Sequence, residues 1–341
     1  MSKSNFVYWK EVVGLEEYDF PHLMKLTDEN IQLARMAPSR INEIRKAIAT
    51  SRQIDVQVQP GWGATTLFRY MANDMKNNKL NLTVLFDFEM DNFQDGNLSE
   101  KIFIFQVKWK LAAGILEIML SHSLQECYMF EVFQFEDTGE RPWRAYLREK
   151  RRELYDSEKN SRAFYQKFPF FADMQITECV DYFLKNFQIQ TIFMYLFPRT
   201  ADEDDLLEFS GIIKNIFDGK DVSPAAVREV FFMTPKMFLM MKNCYDRPYM
   251  DIYYRRYSPA EIFGMLVNTY RIPDMPNTTI SDVFEQEFIT SVYDELLTLD
   301  EIMQQVEDEI ISMLTGEKHE IPYKLTLKHV KREGGIPDDY E

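Results

Sequence analysis

Backbone breakers are scarce in this chain of 341 residues, which has only 12 glycines and 14 prolines. That shortage, with long apolar-periodic stretches, favours well-formed helices joined by modest loops. Cysteine is scarcer still: Cys127, Cys179 and Cys244 stand far apart and never form a C-x-x-C, so neither a zinc knuckle nor a disulfide framework is indicated. Reduced, buried thiols are expected. The four histidines, His22, His122, His319 and His329, are scattered and build no metal-ligand spacing; a serine nucleophile elbow is also missing. No catalytic residue and no metal ligand can therefore be nominated. No window approaches the roughly 20 apolar residues of a membrane span, and the first residues lack the apolar core and small-residue cleavage site of a leader. The expectation is a cytoplasmic protein with no membrane partner.

Positive charge is also in deficit. Against 55 acidic residues there are 39 lysines and arginines, a formal net charge of −16, so the summed field repels nucleic acid and anionic lipid. One local exception, RPWRAYLREKRR from Arg141 to Arg152, places Arg144, Arg148 and Arg151 or Arg152 along one helical face. It reads as a solvated face or a contact for an acidic partner. A protein partner or self-association is thus expected ahead of DNA.

What is present is an ordinary globular composition, 45% apolar and 28% charged, at a length that suits one large domain or one with a smaller companion. Ser39 to Ala49 carries Ile41, Ile44 and Ile48 on one face and predicts a helix. Ile54, Val56 and Val58 alternate with Asp55, Gln57 and Gln59, a half-buried strand pattern. Further strands are predicted at Leu82 to Met90, Thr191 to Phe197, Arg228 to Thr234 and Asp251 to Arg255, with helical segments between them. After the first, these strands are plain apolar runs, as expected of a mostly parallel sheet covered on both faces. The predicted class is α/β: about five strands with helices on both faces, followed by a small helical subdomain. The expected organisation is a helical lead-in over 1–50, an α/β domain over 51–275 with a helical insertion near 97–165, a lid-like helical subdomain over 276–318, and a tail over 319–341. The apolar Phe168-Pro169-Phe170-Phe171 is singled out as a candidate interface anchor.

Between the first strand and the next helix stands Val58-Gln59-Pro60-Gly61-Trp62-Gly63-Ala64-Thr65-Thr66-Leu67. Strand, glycine turn and helix is the context in which backbone amides converge on an anion, with glycines supplying positive φ. The segment resembles the GxxGxGKTTL motif of AAA+ and related P-loop ATPases, keeping Gly61, Gly63, Thr65, Thr66 and Leu67. The resemblance implies ATP or ADP with magnesium as ligand and Gly61, Trp62, Gly63, Ala64, Thr65 and Thr66 as its binding residues.

Val58 stands at the first glycine and Ala64 at the lysine. Losing that ammonium removes a charge-assisted contact worth roughly 1.5–3 kcal/mol, about ten- to a hundredfold in affinity. The resemblance would also end the third strand in an acidic pair, where this chain has Phe197-Pro198-Arg199; Asp202 to Asp205 lie beyond and suit a helix start. It makes Thr234 a candidate γ-phosphate sensor and Arg255 or Arg256 a candidate arginine finger. Asp251 to Ile262 is similar to the strand and Ser-Pro-initiated helix of initiator-type AAA+ proteins, although Ser258, Pro259 and Glu261 are also an ordinary helix start. The expected function is a degenerate AAA+-like subunit of a larger assembly that binds nucleotide weakly or not at all. The alternatives are an active NTPase switch with a non-standard site, and a DNA-linked initiator or transposition-type regulator.

Overall fold

The computed structural model describes residues 38–76, 81–88, 99–121, 131–134, 143–197, 203–217, 225–244, 249–269, 289–290, 292–293 and 297–305. The tail and the lead-in before residue 38 lie outside them, as does most of the stretch expected to form a helical lid. By internal contacts the chain divides into two units, one of Met1–Glu43, Val58–Tyr70 and Tyr254–Glu341, the other of Ile44–Gln57 and Met71–Tyr253.

Five strands form one sheet in the order β2-β3-β4-β1-β5: β1 Gln53–Val58, β2 Asn81–Asp87, β3 Gln190–Leu196, β4 Val227–Met233 and β5 Tyr249–Tyr254. The pairs β2/β3, β3/β4 and β1/β4 are parallel, in registers that set Leu82 beside Thr191, Met194 beside Val230 and Asp55 beside Phe231. The expected α/β class with a parallel five-stranded sheet is thus what the chain forms. Parallel neighbours need long crossovers, and helices supply them: α1 Pro38–Thr50 precedes β1, α2 Ala64–Lys76 joins β1 to β2, and α3 Glu100–Ser121, α4 Trp143–Asp156, α5 Ser161–Lys167, α6 Pro169–Asp173 and α7 Ile176–Phe187 fill the passage from β2 to β3. The remaining helices are α8 Glu203–Phe217, α9 Pro235–Cys244 and α10 Pro259–Thr269.

The core on one face of the sheet is aromatic. Tyr195 stacks on Phe86 and Phe231 at ring separations of 5.5 and 4.8 Å, and Phe209 of α8 meets it edge-on at 5.5 Å. Buried on α3 are Phe103, Val107, Leu111, Ile115 and Met119, at the four-residue spacing that turns one stripe inward. The apolar loop signal at Phe168 to Phe171 belongs to this core too. Pro169 opens a one-turn helix, Phe168 and Phe171 are buried, and Phe164 packs on both of them. The segment packs in the interior, with the proline at the helix start, where its fixed φ fits and its missing N–H costs nothing. Cys179 is likewise buried, and desolvation pushes its thiol up to about 12, which keeps it protonated and inert.

The first strand departs from the half-buried pattern expected of it. All six residues are buried, including Gln53, Asp55 and Gln57. Among the described residues no helix is long and apolar enough to cross a membrane.

Candidate functional site

The strand order reverses around β1: its crossover runs to β2 at the far edge, whereas β5 lies on its other side. In open parallel sheets the loops at such a reversal are where ligands bind. The residues that follow β1 are the glycine turn. Gly61 and Gly63 have φ of +78° and +83°, the left-handed region that side chains disfavour, so the turn needs glycine at both positions. Trp62 N–H donates to Gln59 C=O at 3.1 Å, closing the turn. Leu67 N–H reaches Gly63 C=O at 2.9 Å and starts α2 at Ala64, which puts Thr65 and Thr66 in its first turn, half-buried. No acidic residue lies in that turn. The helix end therefore keeps its positive partial charge, though Ala64 adds no ammonium to it.

The turn is occupied by its own chain. Leu299 N–H donates to the Gly61 carbonyl at 2.9 Å, and a Cβ on Gly61 would lie only 2.3 Å from the Thr298 methyl. Thr298 is held there by a reciprocal cap: its N–H and hydroxyl donate to Glu301 at 2.6 and 2.8 Å, while Glu301 N–H donates back to the hydroxyl at 3.3 Å. These bonds hold the Glu301 carboxyl below its ordinary range. The helical turn that begins at Leu299 thus sits on the glycine with its cap. Gly61→Ala is expected to lose about 1–3 kcal/mol, since it meets both the methyl and a strained φ. Adding Thr298→Ser should recover only part of that in denaturant midpoints, because the Thr298 Cβ would remain at 2.7 Å.

Trp62 turns inward and is 2% exposed. Its ring lies 6.2 Å from Tyr257 and 6.3 Å from Tyr293, and the Arg256 guanidinium lies 5.6 Å above it. Arg256 keeps one buried nitrogen, Nη1, without a hydrogen-bond partner. Arg255 is exposed. Tyr257 continues the cluster to Arg40, whose guanidinium sits 3.6 Å from its ring and 3.6 Å from Glu261. Burial pushes the Tyr257 hydroxyl up to about 12, so it stays neutral. Desolvation, then Glu43, raises Tyr254, whose hydroxyl donates to Arg40 C=O at 2.8 Å.

The other candidates have structural partners. Thr234 directly follows β4, and its hydroxyl accepts from Met237 N–H at 3.3 Å, capping α9. Ser258 and Glu261 exchange bonds at the start of α10, the cap expected there. Asp204 and Asp205 lie in the first turn of α8, and no group of three metal-ligating side chains occurs among the described residues. Of the arginine face on α4, Arg151 pairs with Glu117 at 2.7 Å and Arg144, Arg148 and Arg152 are exposed.

Two features escaped the sequence. One is the contact of Thr298 and Leu299 with Gly61, for which no local signal exists. The other is a polar strip on the sheet, buried at Gln53, Asp55 and Gln57 and exposed at Asp251, where Gln53 Nε2 donates to both Asp55 oxygens at 3.2 and 3.3 Å and Gln57 donates to Asp251. Glu229, beside Gln53 in the register, is fully buried. Desolvation dominates at Asp55 and, with Asp251 and Glu229 adding to it and Gln53 opposing, raises its carboxyl to about 7.

An α/β chain with a parallel five-stranded sheet and a glycine turn after its first strand is the class that fold and site define. No family model matches the chain, and no curated protein does. Among solved structures it is similar to Cdc6p from Pyrobaculum aerophilum, with a TM-score of 0.37 and 11% identity over 90% of this chain and 66% of that one. It is also similar to the Aeropyrum pernix ORC2 protein, at 0.35 and 11% for the ADP form and 0.32 and 12% for the ADPNP-ADP complexes, spanning 72% of that chain in each. So loose a likeness transfers no site and no activity.

Proposed function

We propose that this chain is a non-catalytic, degenerate P-loop protein that serves as a cytoplasmic interaction subunit of a larger assembly, its glycine turn acting as an internal docking point. The observation that carries this reading is the seat of Thr298 and Leu299 on Gly61, joined to the loss of the ammonium at Ala64. A carbonyl engaged by the chain's own amide and a glycine covered by its own methyl describe a turn used for packing. Inward burial of Trp62 supports the same view.

A second reading has one observation in its favour. Arg256, beside Trp62, has an unpartnered buried nitrogen and could supply the charge that Ala64 lacks, giving a nucleotide-responsive switch. Calorimetry with ATP and ADP, each with magnesium, separates the two. The subunit reading expects no saturable binding at millimolar nucleotide. Binding that disappears in Gly63→Asp and in Arg256→Ala would overturn it in favour of the switch, and hydrolysis lost with Thr65→Ala would make the chain an NTPase.

A further inference from the structure

We infer that copies of this chain associate by docking the arginine face of helix α4 on the acidic face of helix α8 of a second copy. The inference goes beyond the subunit reading, since it names a self-contact, and it holds whatever the glycine turn binds. Both helices lie in the unit of Ile44–Gln57 and Met71–Tyr253. On α4, Arg148, Arg152 and Tyr155 are exposed and share one side of the helix, away from the buried Leu147 and Leu154. On α8, Asp204, Glu208 and Gly211 do the same, away from the buried Leu206 and Phe209.

The charges on both faces are unmatched within the chain. Among the described residues the side chains of Arg148, Arg152, Asp204 and Glu208 have no ion-pair partner, although the neighbouring Arg151 pairs with Glu117 at 2.7 Å. The two faces also share one spacing. Four helical residues rise about 6 Å, so with the helices side by side and parallel, Arg148 meets Asp204 and Arg152 meets Glu208. Seven positions beyond the first pair in each helix, Tyr155 then falls opposite Gly211.

That glycine has no steric cause in its own chain. Glycine weakens a helix interior, yet a Cβ on Gly211 would meet no neighbouring group within 4 Å. A ring laid against the bare backbone supplies the cause. Tyr155 is 48% exposed and already held in place, with Trp109 edge-on at 5.6 Å and the Arg151 guanidinium 5.9 Å from its ring, so little freedom is lost when it docks. Leu207, 45% exposed, adds apolar area beside the two carboxylates. The net charge of −16 sets copies against one another, which confines a contact to a place where the sign is locally reversed, as it is on α4.

Sedimentation velocity of the full chain over a range of concentrations tests this through a charge exchange. The wild type is expected to self-associate reversibly as concentration rises. Arg148→Glu with Arg152→Glu should weaken that association at least tenfold, as should Asp204→Lys with Glu208→Lys, since like charges then face each other. Mixed in equal amounts, the two variants should associate again, because each exchanged face finds its complement on the other protein. Gly211→Gln, for which the chain itself has room, should also weaken association at least tenfold by filling the seat of the ring. Every substituted position is exposed, so the variants keep the fold, and far-ultraviolet circular dichroism checks this. A wild type that stays monomeric at every concentration, association unaffected by any one of these changes, or exchanged variants that fail to associate on mixing would overturn the inference.

Discussion

Asp55→Asn is expected to stabilise the chain by up to about 4 kcal/mol at pH 8 and to change it little at pH 4. The cause is a carboxyl shut inside the sheet. Its folded value of about 7 against an ordinary 3.8 means that between these limits the unfolded chain releases a proton that the folded chain keeps. At roughly 1.4 kcal/mol per pH unit, folding stability is full below pH 3.8, falls as pH rises and levels off above 7, a total loss on the order of 4 kcal/mol. Asparagine has the same shape, stays neutral and does not titrate. Denaturant midpoints of both proteins from pH 4 to pH 8 should diverge steadily with rising pH. Parallel profiles, or an asparagine variant less stable at pH 8, would refute the burial account.

Partners of Asp55 sharpen the expectation. Gln53 offers its amide N–H to both carboxyl oxygens, while its own oxygen lacks a hydrogen-bond partner. With that amide turned over, a protonated Asp55 donates to the oxygen, a bond the ionised form cannot make. Asp251 and Glu229 add repulsion to the charged state. Asp251→Asn should therefore move the Asp55 titration down, but only partly, because desolvation is the larger cause.

Strands β3 and β4 were legible because residues buried on both faces leave uninterrupted apolar runs, and their bounds differ from the expected ones by one residue; β2 spans Asn81–Asp87 where Leu82 to Met90 was expected, and its burial alternates. The strand at Gln53–Val58 was legible as a strand and illegible as to its surroundings. Period-two alternation marks a polar face, but Asp55 and Gln57 look the same whether that face meets water or a covering layer. Phe168 to Phe171 posed the converse problem: an apolar cluster around a proline suits a surface anchor as well as a core, and only packing decides. The glycine turn was legible because positive φ demands glycine locally. Its occupant was not, since Thr298 and Leu299 lie more than two hundred positions away and carry only the ordinary threonine and glutamate of a capping box.

That distant contact makes Trp62 the residue on which the proposed role can be pressed hardest. Sequence placed it among nucleotide-binding residues; in the structure its ring sits between Tyr257 and Tyr293, beneath Arg256. Trp62→Ala should cost about 3–5 kcal/mol, the usual range for emptying so large a buried site, and a further fraction through the lost cation–π contact. Trp62→Phe should cost much less, because a ring remains for the tyrosines to pack on. The local readout is amide exchange at Leu299, whose N–H is held by Gly61 next in the chain to the tryptophan. If Trp62 fixes the turn, protection of that amide falls at least tenfold in the alanine variant and survives in the phenylalanine one. An alanine variant of unchanged stability and exchange, combined with weaker ATP affinity, would return Trp62 to a nucleotide site and remove the internal-docking account of the turn.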